Sequence, residues 1–405
     1  MFDAAAVRRE FPILDQQVHG KPLVYLDNAN TTQKPLSVLE ALDHYYRADN
    51  ANIHRATHLL SERATKSYEG ARERIARFFN ARESAEIVFT RGCTEAINLV
   101  AYSFARPRLK PGDEIVVSRM EHHSNIVPWQ MVAQQTGAIL RVVPMNDAGV
   151  LDMAECARLI GPRTALVSII HVSNALGTVN PVREVIALAR AHGVPVLIDG
   201  AQAAPHMPVD VQELGCDFYA CSAHKMYGPT GIGALYGRRE LLESMPPWMG
   251  GGDMIASVTF EHTEYNKVPY KFEAGTPNIA GVVGFGAAVD FLSRFDLREV
   301  AAHEHALLEQ ATAALGAIDG IQLVGRAPER AGVLSFLVAD VHPHDVGTFL
   351  DQDGVAVRTG QHCAQPVMDY FGITATVRAS FALYNTPADV DALVASVKRV
   401  LQFFR

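Results

Sequence analysis

The 405-residue chain has no run of about 18 apolar residues, so no part of it is expected to span a membrane. It also has no C-x-x-C pair. Its five cysteines, Cys93, Cys156, Cys216, Cys221 and Cys363, are odd in number and scattered, which speaks against a disulfide framework and for reduced thiols in a cytoplasmic protein. Positive charge is not in excess: 36 Lys and Arg stand against 44 Asp and Glu, for a formal net charge of −8. No basic field is therefore available to hold nucleic acid or an anionic membrane surface. The N-terminus carries Asp3, Arg8, Arg9 and Glu10 early and lacks the apolar core of a signal peptide. Histidine is plentiful at 16 residues, yet the pairs His122-His123, His303/His305 and His342/His344 have no matching Cys or carboxylate set at ligand spacing, so no metal site is expected. The composition, 48% hydrophobic and 20% charged, is that of a soluble globular protein of more than one domain, with small molecules and other proteins as partners.

One stretch organises the rest. In Asp217-Phe-Tyr-Ala-Cys-Ser222-Ala-His224-Lys225-Met-Tyr-Gly228-Pro229 a single lysine follows an apolar strand and precedes a Gly/Pro turn. Desolvation at the end of a buried strand lowers an ammonium's pKa, and a neutral amine is a nucleophile toward carbonyls. Pyridoxal phosphate is the cofactor that most often uses such an amine. It needs a carboxylate for its pyridine nitrogen, and Val194-Pro-Val-Leu-Ile-Asp199 places one at the carboxyl end of an apolar strand, where α/β proteins bind ligands.

The chain around this stretch alternates strands and helices, which predicts a largely parallel sheet with helices on both faces. Strands are expected at 23–26, 86–89, 114–117, 139–143 and 164–170, and helices at 35–47, 62–80 and 181–192. Thr90-Arg-Gly92-Cys93-Thr94-Glu95 reads as a strand, a glycine turn and a helix start, with Thr94 as the cap and free N–H groups suited to phosphate. His122 or His123, after a strand end, is suited to lie over a planar ring, the other satisfying backbone; Asn174 is a further polar group facing the crevice. Gly231-Ile-Gly233-Ala-Leu-Tyr-Gly237 has the wrong spacing for a dinucleotide fingerprint. Residues 254–271 read as a hairpin over an active site, and 281–295 as a small-residue helix joining two domains. Beyond it, helices at 297–315, 344–352 and 387–403 alternate with strands at 332–338, 355–358 and 377–383. This smaller α/β domain carries Arg358-Thr-Gly360-Gln361-His362-Cys363, a loop in which Arg358 and His362 are expected to favour the Cys363 thiolate. Arg378 is suited to fork onto a substrate carboxylate. The other four cysteines read as inert small hydrophobes.

Taken together, Tyr25-Leu-Asp27-Asn28-Ala29, Arg91-Gly92-x-Thr94-Glu95, Glu121-His122-His123, Asp199-Gly-Ala-Gln202, Ser222-Ala-His224-Lys225, Arg358-x-Gly360-x-His362-Cys363 and Arg378-Ala-Ser-Phe resemble a fold-type I pyridoxal-phosphate enzyme of the class V aminotransferase group. The closest likeness is to the group II cysteine desulfurases of the SUF sulfur-mobilisation system, and it covers nearly the whole chain. The resemblance implies a large cofactor domain with a mostly parallel seven-stranded-type sheet at 21–284, and a small domain from 1–20 and 285–405. It implies pyridoxal 5'-phosphate bound covalently by Lys225, with Asp199 on the ring nitrogen, His122 stacked on the ring and Gln202 on the phenolic oxygen. Thr94, Cys93, Ser222 and His224 would surround the phosphate, with Thr276 reaching the partner subunit's phosphate in a homodimer. Asn174, Arg378, Arg358, His54 and Ala29 would meet the substrate, with Arg55 beside His54 at the entrance. L-Cysteine would become L-alanine, Cys363 would take the sulfur, His122 would handle the thiol proton, and an acceptor protein would receive the sulfur for iron–sulfur assembly in the cytoplasm. Selenocysteine lyase is the nearest alternative; a transaminase and a catalytically idle binding partner are more distant. Asn30, Cys93 and Gln361 depart from the pattern, standing where Ala, Thr and His are usual, which leaves the Cys363 thiolate more dependent on His362 and Arg358.

Overall fold

The computed structural model describes residues 2–404. Its centre is a seven-stranded sheet in the order Ile87–Thr90, Gly233–Gly237, Phe218–Ser222, Val196–Asp199, Thr164–Ile170, Glu114–Ser118, Ile139–Val143. All pairs are parallel except those made by Gly233–Gly237, which runs antiparallel to both neighbours. The parallel strands are apolar runs because helices cover both faces; Val196–Asp199 and Phe218–Ser222 are buried at every position. The fold is therefore the mostly parallel α/β architecture expected.

The strand Gly233–Gly237 is where only a glycine pattern was visible. A Cβ on Gly233 would lie 2.5 Å from the Cys221 carbonyl oxygen and 2.6 Å from Gly92 Cα. Glycine here lets the strand end pass between the Ser222 strand and the Gly92 turn, which brings those two segments together.

A second sheet, antiparallel throughout, has the order Ile321–Val324, Val333–Val338, Thr376–Ser380, Arg358–Gly360. Helices Leu297–Gly316, Pro343–Gln352 and Pro387–Phe404 pack with it around a core of Leu308, Leu334, Phe336, Val346 and Val397. The expected strand over 355–358 is divided: Val355–Ala356 pairs in parallel with Val24–Tyr25, and Arg358–Gly360 joins the sheet. The N-terminal segment is thus tied to the smaller sheet beyond residue 20. Ser380 N–H donates to the Leu26 carbonyl at 2.7 Å. Asn28 Nδ2 donates to the Ser380 carbonyl at 2.6 Å and to Asn385 Oδ1 at 3.0 Å.

The helix expected over 281–295 spans Ile279–Leu292 and lies against helices Leu36–His44 and Leu59–Phe78. It belongs to the packing of the larger sheet rather than forming a bare connector, and the expected boundary between 284 and 285 falls inside it. The hairpin is present as Ile255–Val258 and Thr263–Tyr265, with Phe260 fully exposed at its tip.

Arg72, 1% exposed, is held by two bonds to Glu273, at 2.6 and 2.9 Å, and donates to the Ile87 carbonyl. Glu273 Oε1 also accepts from Phe89 N–H at 2.8 Å. The pair fastens the segment after the hairpin to the edge strand of the large sheet. Breaking a buried pair strands a desolvated charge, so Arg72→Met is expected to cost about 3–5 kcal/mol, measurable as a lowered urea midpoint at unchanged m-value.

Candidate active site

The carboxyl ends of four parallel strands deliver the polar residues to one crevice, as open α/β sheets do. After Phe218–Ser222 a single 3-10 turn, Ala223–Lys225, carries Lys225. Lys225 lines a cavity of about 150 Å³ together with Asn30, Cys93, Thr94, His122, Ser124, Asn174, Asp199, Gln202, Ser222 and His224. Burial lowers its pKa, and the charges of Asp199 and Cys93 oppose that shift without cancelling it.

Asp199, 1% exposed, ends its strand with Oδ1 accepting from Ala201 N–H at 3.0 Å and from the Cys93 thiol at 3.2 Å. Both donors reach one oxygen, leaving Oδ2 for a further partner. Gln202 Nε2 donates to the Ala29 carbonyl at 2.6 Å. Ala29 therefore meets this crevice through its backbone, and its neighbour Asn30 is the residue whose side chain lines the cavity.

Cys93 corrects one expectation. It is not an inert hydrophobe: its thiol faces Asp199 and its N–H donates to Ser222 Oγ at 2.8 Å. Burial first, then Asp199, raises its pKa well above the ordinary thiol value. Thr94 corrects another. Gly92 occupies the cap position and no side chain caps this helix, so Thr94 is a helical residue whose hydroxyl is left to the cavity. Cys93, Thr94, Ser222 and His224 are shared with an adjoining cavity of about 670 Å³ that also takes in Arg91, Asn98, Thr230 and Gly231.

The two adjacent histidines separate. His122 lines the Lys225 cavity, its Nδ1 accepting from Ser124 N–H at 3.1 Å, and burial drives its pKa down to about 3. It is a neutral ring near neutral pH. Its neighbour Glu121 was not anticipated. Glu121 Oε1 accepts from Ile170 N–H at 3.0 Å and Oε2 from Asn125 Nδ2 at 2.6 Å, and burial pushes the carboxyl up to about 8. This network fixes the turn that presents His122.

At the other side of the crevice, Arg378 is 2% exposed. Its Nη1 donates to the Asn174 carbonyl at 2.8 Å and its Nη2 lies 3.5 Å from Asp27 Oδ1, while Nε is buried without a partner. Burial lowers its pKa to about 10, which still leaves it a cation near neutral pH. Asn174 Nδ2 donates to the His362 carbonyl at 2.5 Å, and its Oδ1 is likewise without a partner. A buried cation with an unused N–H beside an unused amide oxygen is a receptor for a zwitterion: a carboxylate and an amino group. Arg378→Ala is expected to lower kcat/KM for an amino-acid substrate about 100-fold, mainly through KM, with cofactor absorption retained.

Cys363 is exposed and lies near enough for its charge to bear on both Lys225 and Arg378. His362 does not supply the positive charge expected beside it. The ring is hydrogen-bonded to Thr376 Oγ1 at 2.8 Å and burial lowers its pKa to about 3, so it is neutral. Arg358, opposite Arg378 in the strand register, is the exposed cation of this loop.

Thr276, His54 and Arg55 are not brought to the Lys225 cavity within one chain. His54 is bonded to Glu69 at 2.9 Å and Arg55 to Asp253 at 2.8 Å beside a separate cavity of about 240 Å³. Thr276 lines a third, of about 400 Å³, which shares Arg91, Glu95 and Gly231 with the Thr94 cavity.

The family described as aminotransferase class-V matches residues 24–393. The chain belongs to the class-V aminotransferase family. A probable cysteine desulfurase of Halalkalibacterium halodurans is 53% identical over 402 residues, which is 99% of each chain. The cysteine desulfurase of Synechococcus elongatus is 52% identical; 98% of this chain aligns with 64% of that one. A probable cysteine desulfurase of Mycolicibacterium paratuberculosis is 54% identical, and the chain spans only 59% of its length. Among solved structures, the Escherichia coli cysteine desulfurase CsdA in its S-sulfonic acid form superposes with a TM-score of 0.93 at 45% identity, covering 100% of this chain and 99% of that one. The apo cysteine desulfurase of Thermococcus onnurineus NA1 gives 0.93 at 38% identity, with 98% of both chains covered. The cofactor of this class-V aminotransferase is pyridoxal phosphate, and the residues present fit it: a desolvated lysine amine, a buried carboxylate with one oxygen unengaged, a neutral ring, and hydroxyls at a glycine turn. Among the described residues no cluster suited to a metal ion occurs, and no helix is long and apolar enough to cross a membrane.

Proposed function

We propose that the chain is a pyridoxal-phosphate-dependent cysteine desulfurase that turns L-cysteine into L-alanine and holds the released sulfur as a persulfide on Cys363. The observation that carries this reading is one crevice that combines a desolvated lysine, a cation with an unpartnered N–H and a solvent-reaching thiol.

Lys225 would hold the cofactor, Asp199 its ring nitrogen, His122 its ring face and Gln202 its phenolic oxygen, with Thr94, Ser222 and His224 at its phosphate. When bound, the cofactor supplies an electron sink for charge developing at the substrate Cα. Arg378 would orient the substrate carboxylate, with Asn174 holding the guanidinium through its backbone carbonyl and leaving Oδ1 free for the substrate amino group. The Lys225 amine, whose charged form burial disfavours, is the base placed to take the Cα proton and to return one. Cys363, as thiolate, would form a bond to the substrate sulfur while the Cβ–S bond breaks with its electron pair left on the carbon side; Cβ then takes a proton, so the sulfur remains on the protein and the carbon skeleton leaves as alanine. His122 is neutral and thus able to accept the thiol proton. An exposed thiol is accessible to a second protein, which supports transfer of the persulfide to an acceptor of a SUF-type iron–sulfur assembly system. We propose a large cofactor domain and a smaller domain carrying the Cys363 loop, working as a cytoplasmic homodimer in which Thr276 reaches the partner's site and His54 and Arg55 line the entrance. Alanine and sulfide release from L-cysteine with a reductant, by wild type and by the Cys363 and Lys225 variants, tests the reading.

A further inference from the structure

The loop carrying Cys363 has an unusual backbone. His362 and Cys363 have φ of 55° and 53°, the only consecutive non-glycine residues with positive φ among the described residues. Such a backbone conformation is strained for a residue with a side chain and persists only where the surroundings fix it. Gly360, two residues earlier, also has a positive φ, of 125°. A thiol that must meet a buried substrate sulfur therefore sits on a strained segment, and something outside the segment must hold it.

Most of the anchoring comes from two places. Asn174 Nδ2 and Thr376 Oγ1 grip His362, the first at its carbonyl and the second at its ring. The other grip is on Cys363 itself and comes wholly from His123. His123 N–H donates to the Cys363 carbonyl at 2.7 Å, and Gln365 N–H donates to His123 Nε2 at 3.1 Å. His123 thus spans, by its backbone N–H, the residue bearing the thiol and, by its imidazole, the first turn of helix Gln365–Phe371. Because Nε2 accepts, it carries no proton, and the tautomer is fixed with the proton on Nδ1. Gln361, at the entry to this loop, is exposed and has a backbone carbonyl bonded to Ala364 N–H, a contact internal to the loop.

We propose that His123 is a positioning residue for the nucleophile: its imidazole clamps the Cys363 loop in the strained geometry that aims the thiol at the substrate sulfur, while its neighbour His122 serves the cofactor cavity. The clamp crosses from the turn after the strand Glu114–Ser118, on the large sheet, to the loop of the smaller sheet. It thereby sets the thiol against the crevice rather than against its own domain. This inference rests on the reading of Cys363 as the sulfur-accepting nucleophile. The backbone half of the grip survives any substitution, so only the Nε2 contact is open to removal.

Holoenzyme carrying His123→Ala tests this in two independent ways. Hydrogen–deuterium exchange of the segment around Gln365 reads the clamp itself, without reference to activity; it is expected to quicken in His123→Ala and to stay as in wild type in His123→Gln, whose Oε1 replaces the acceptor. Single-turnover persulfide formation from L-cysteine reads the consequence. It is expected to fall about tenfold or more in His123→Ala, since a small misplacement of a reacting group has effects of that order, with the cofactor absorption band and the exchange of the substrate Cα proton unchanged, and to recover in His123→Gln. Wild-type exchange and wild-type persulfide formation in His123→Ala would overturn the proposal. So would an equal loss in His123→Gln, or a loss that includes the absorption band and Cα exchange, which would mark a general structural role. Should wild type itself form no persulfide, the desulfurase reading falls, and the deuterium exchange of the two variants still decides whether His123 holds the loop.

Discussion

Lys225→Ala is expected to abolish alanine and sulfide formation from L-cysteine, with turnover down by at least about 10⁴-fold, and to remove the visible absorption of the covalently held cofactor. Two functions meet in this one amine. In the proposed mechanism it is the attachment point for the carbonyl of the cofactor and the base for the substrate Cα proton, and both roles use its neutral form. Burial favours that form by lowering its pKa, although Asp199 and Cys93 pull the other way. The variant should remain folded. Lys225 lies in a one-turn 3-10 segment bordering a cavity, not in a packed core, and the adjoining strand Phe218–Ser222 is held by its neighbours on both sides. Unchanged far-ultraviolet circular dichroism with a missing absorption band is the expected pair of results. A retained band at wild-type intensity would mean another amine holds the cofactor.

Cys363→Ser should give the opposite division. The absorption band and exchange of the substrate Cα proton should persist, because the thiol lies on an exposed loop of the smaller sheet and holds nothing in the Lys225 cavity. Sulfide and alanine from L-cysteine should fall by about 10²–10⁴-fold, since serine offers no nucleophile able to keep sulfur. Selenium leaves carbon more readily than sulfur, so the same variant tried on L-selenocysteine separates two readings of the family: loss on both substrates fits a desulfurase that needs its thiol, and activity kept on selenocysteine alone fits a lyase. The charge setting also sharpens. His362 is neutral, so the cations in reach of this loop are Arg358 and Arg378, and an Arg358 variant, more than a His362 variant, should slow alkylation of Cys363.

Much of this was legible in the sequence, because the residues that bear chemistry follow strands whose apolar runs are plain. Asp199 and Lys225 end two such runs, and His122 and Asn174 follow two more, so the sheet's carboxyl edge could be assembled before any coordinates. What escaped depends on contacts between distant segments. Gly233–Gly237 looks like a glycine motif since its small residues answer to Gly92 and Cys221, not to strand propensity. Arg72 and Glu273 are 201 positions apart, and nothing local to either announces a buried pair. Thr94 has the residue type of a cap, yet the tight passage at Gly92 puts the cap two positions before that hydroxyl. Cys93 lies beside apolar segments and reads as a hydrophobe until the fold sets it against Asp199. The charge of His362 was misread for a related reason: a histidine in a polar loop looks accessible, and only the fold buries it against Thr376.

The central claim is that sulfur leaves the substrate onto Cys363. Its most direct test is mass spectrometry of the Cys363 peptide after a single turnover with L-cysteine in the absence of reductant. The account predicts a peptide heavier by one sulfur atom, in step with alanine formed, and no such mass in Lys225→Ala. Alanine formed with sulfide free in solution and Cys363 unmodified would contradict it.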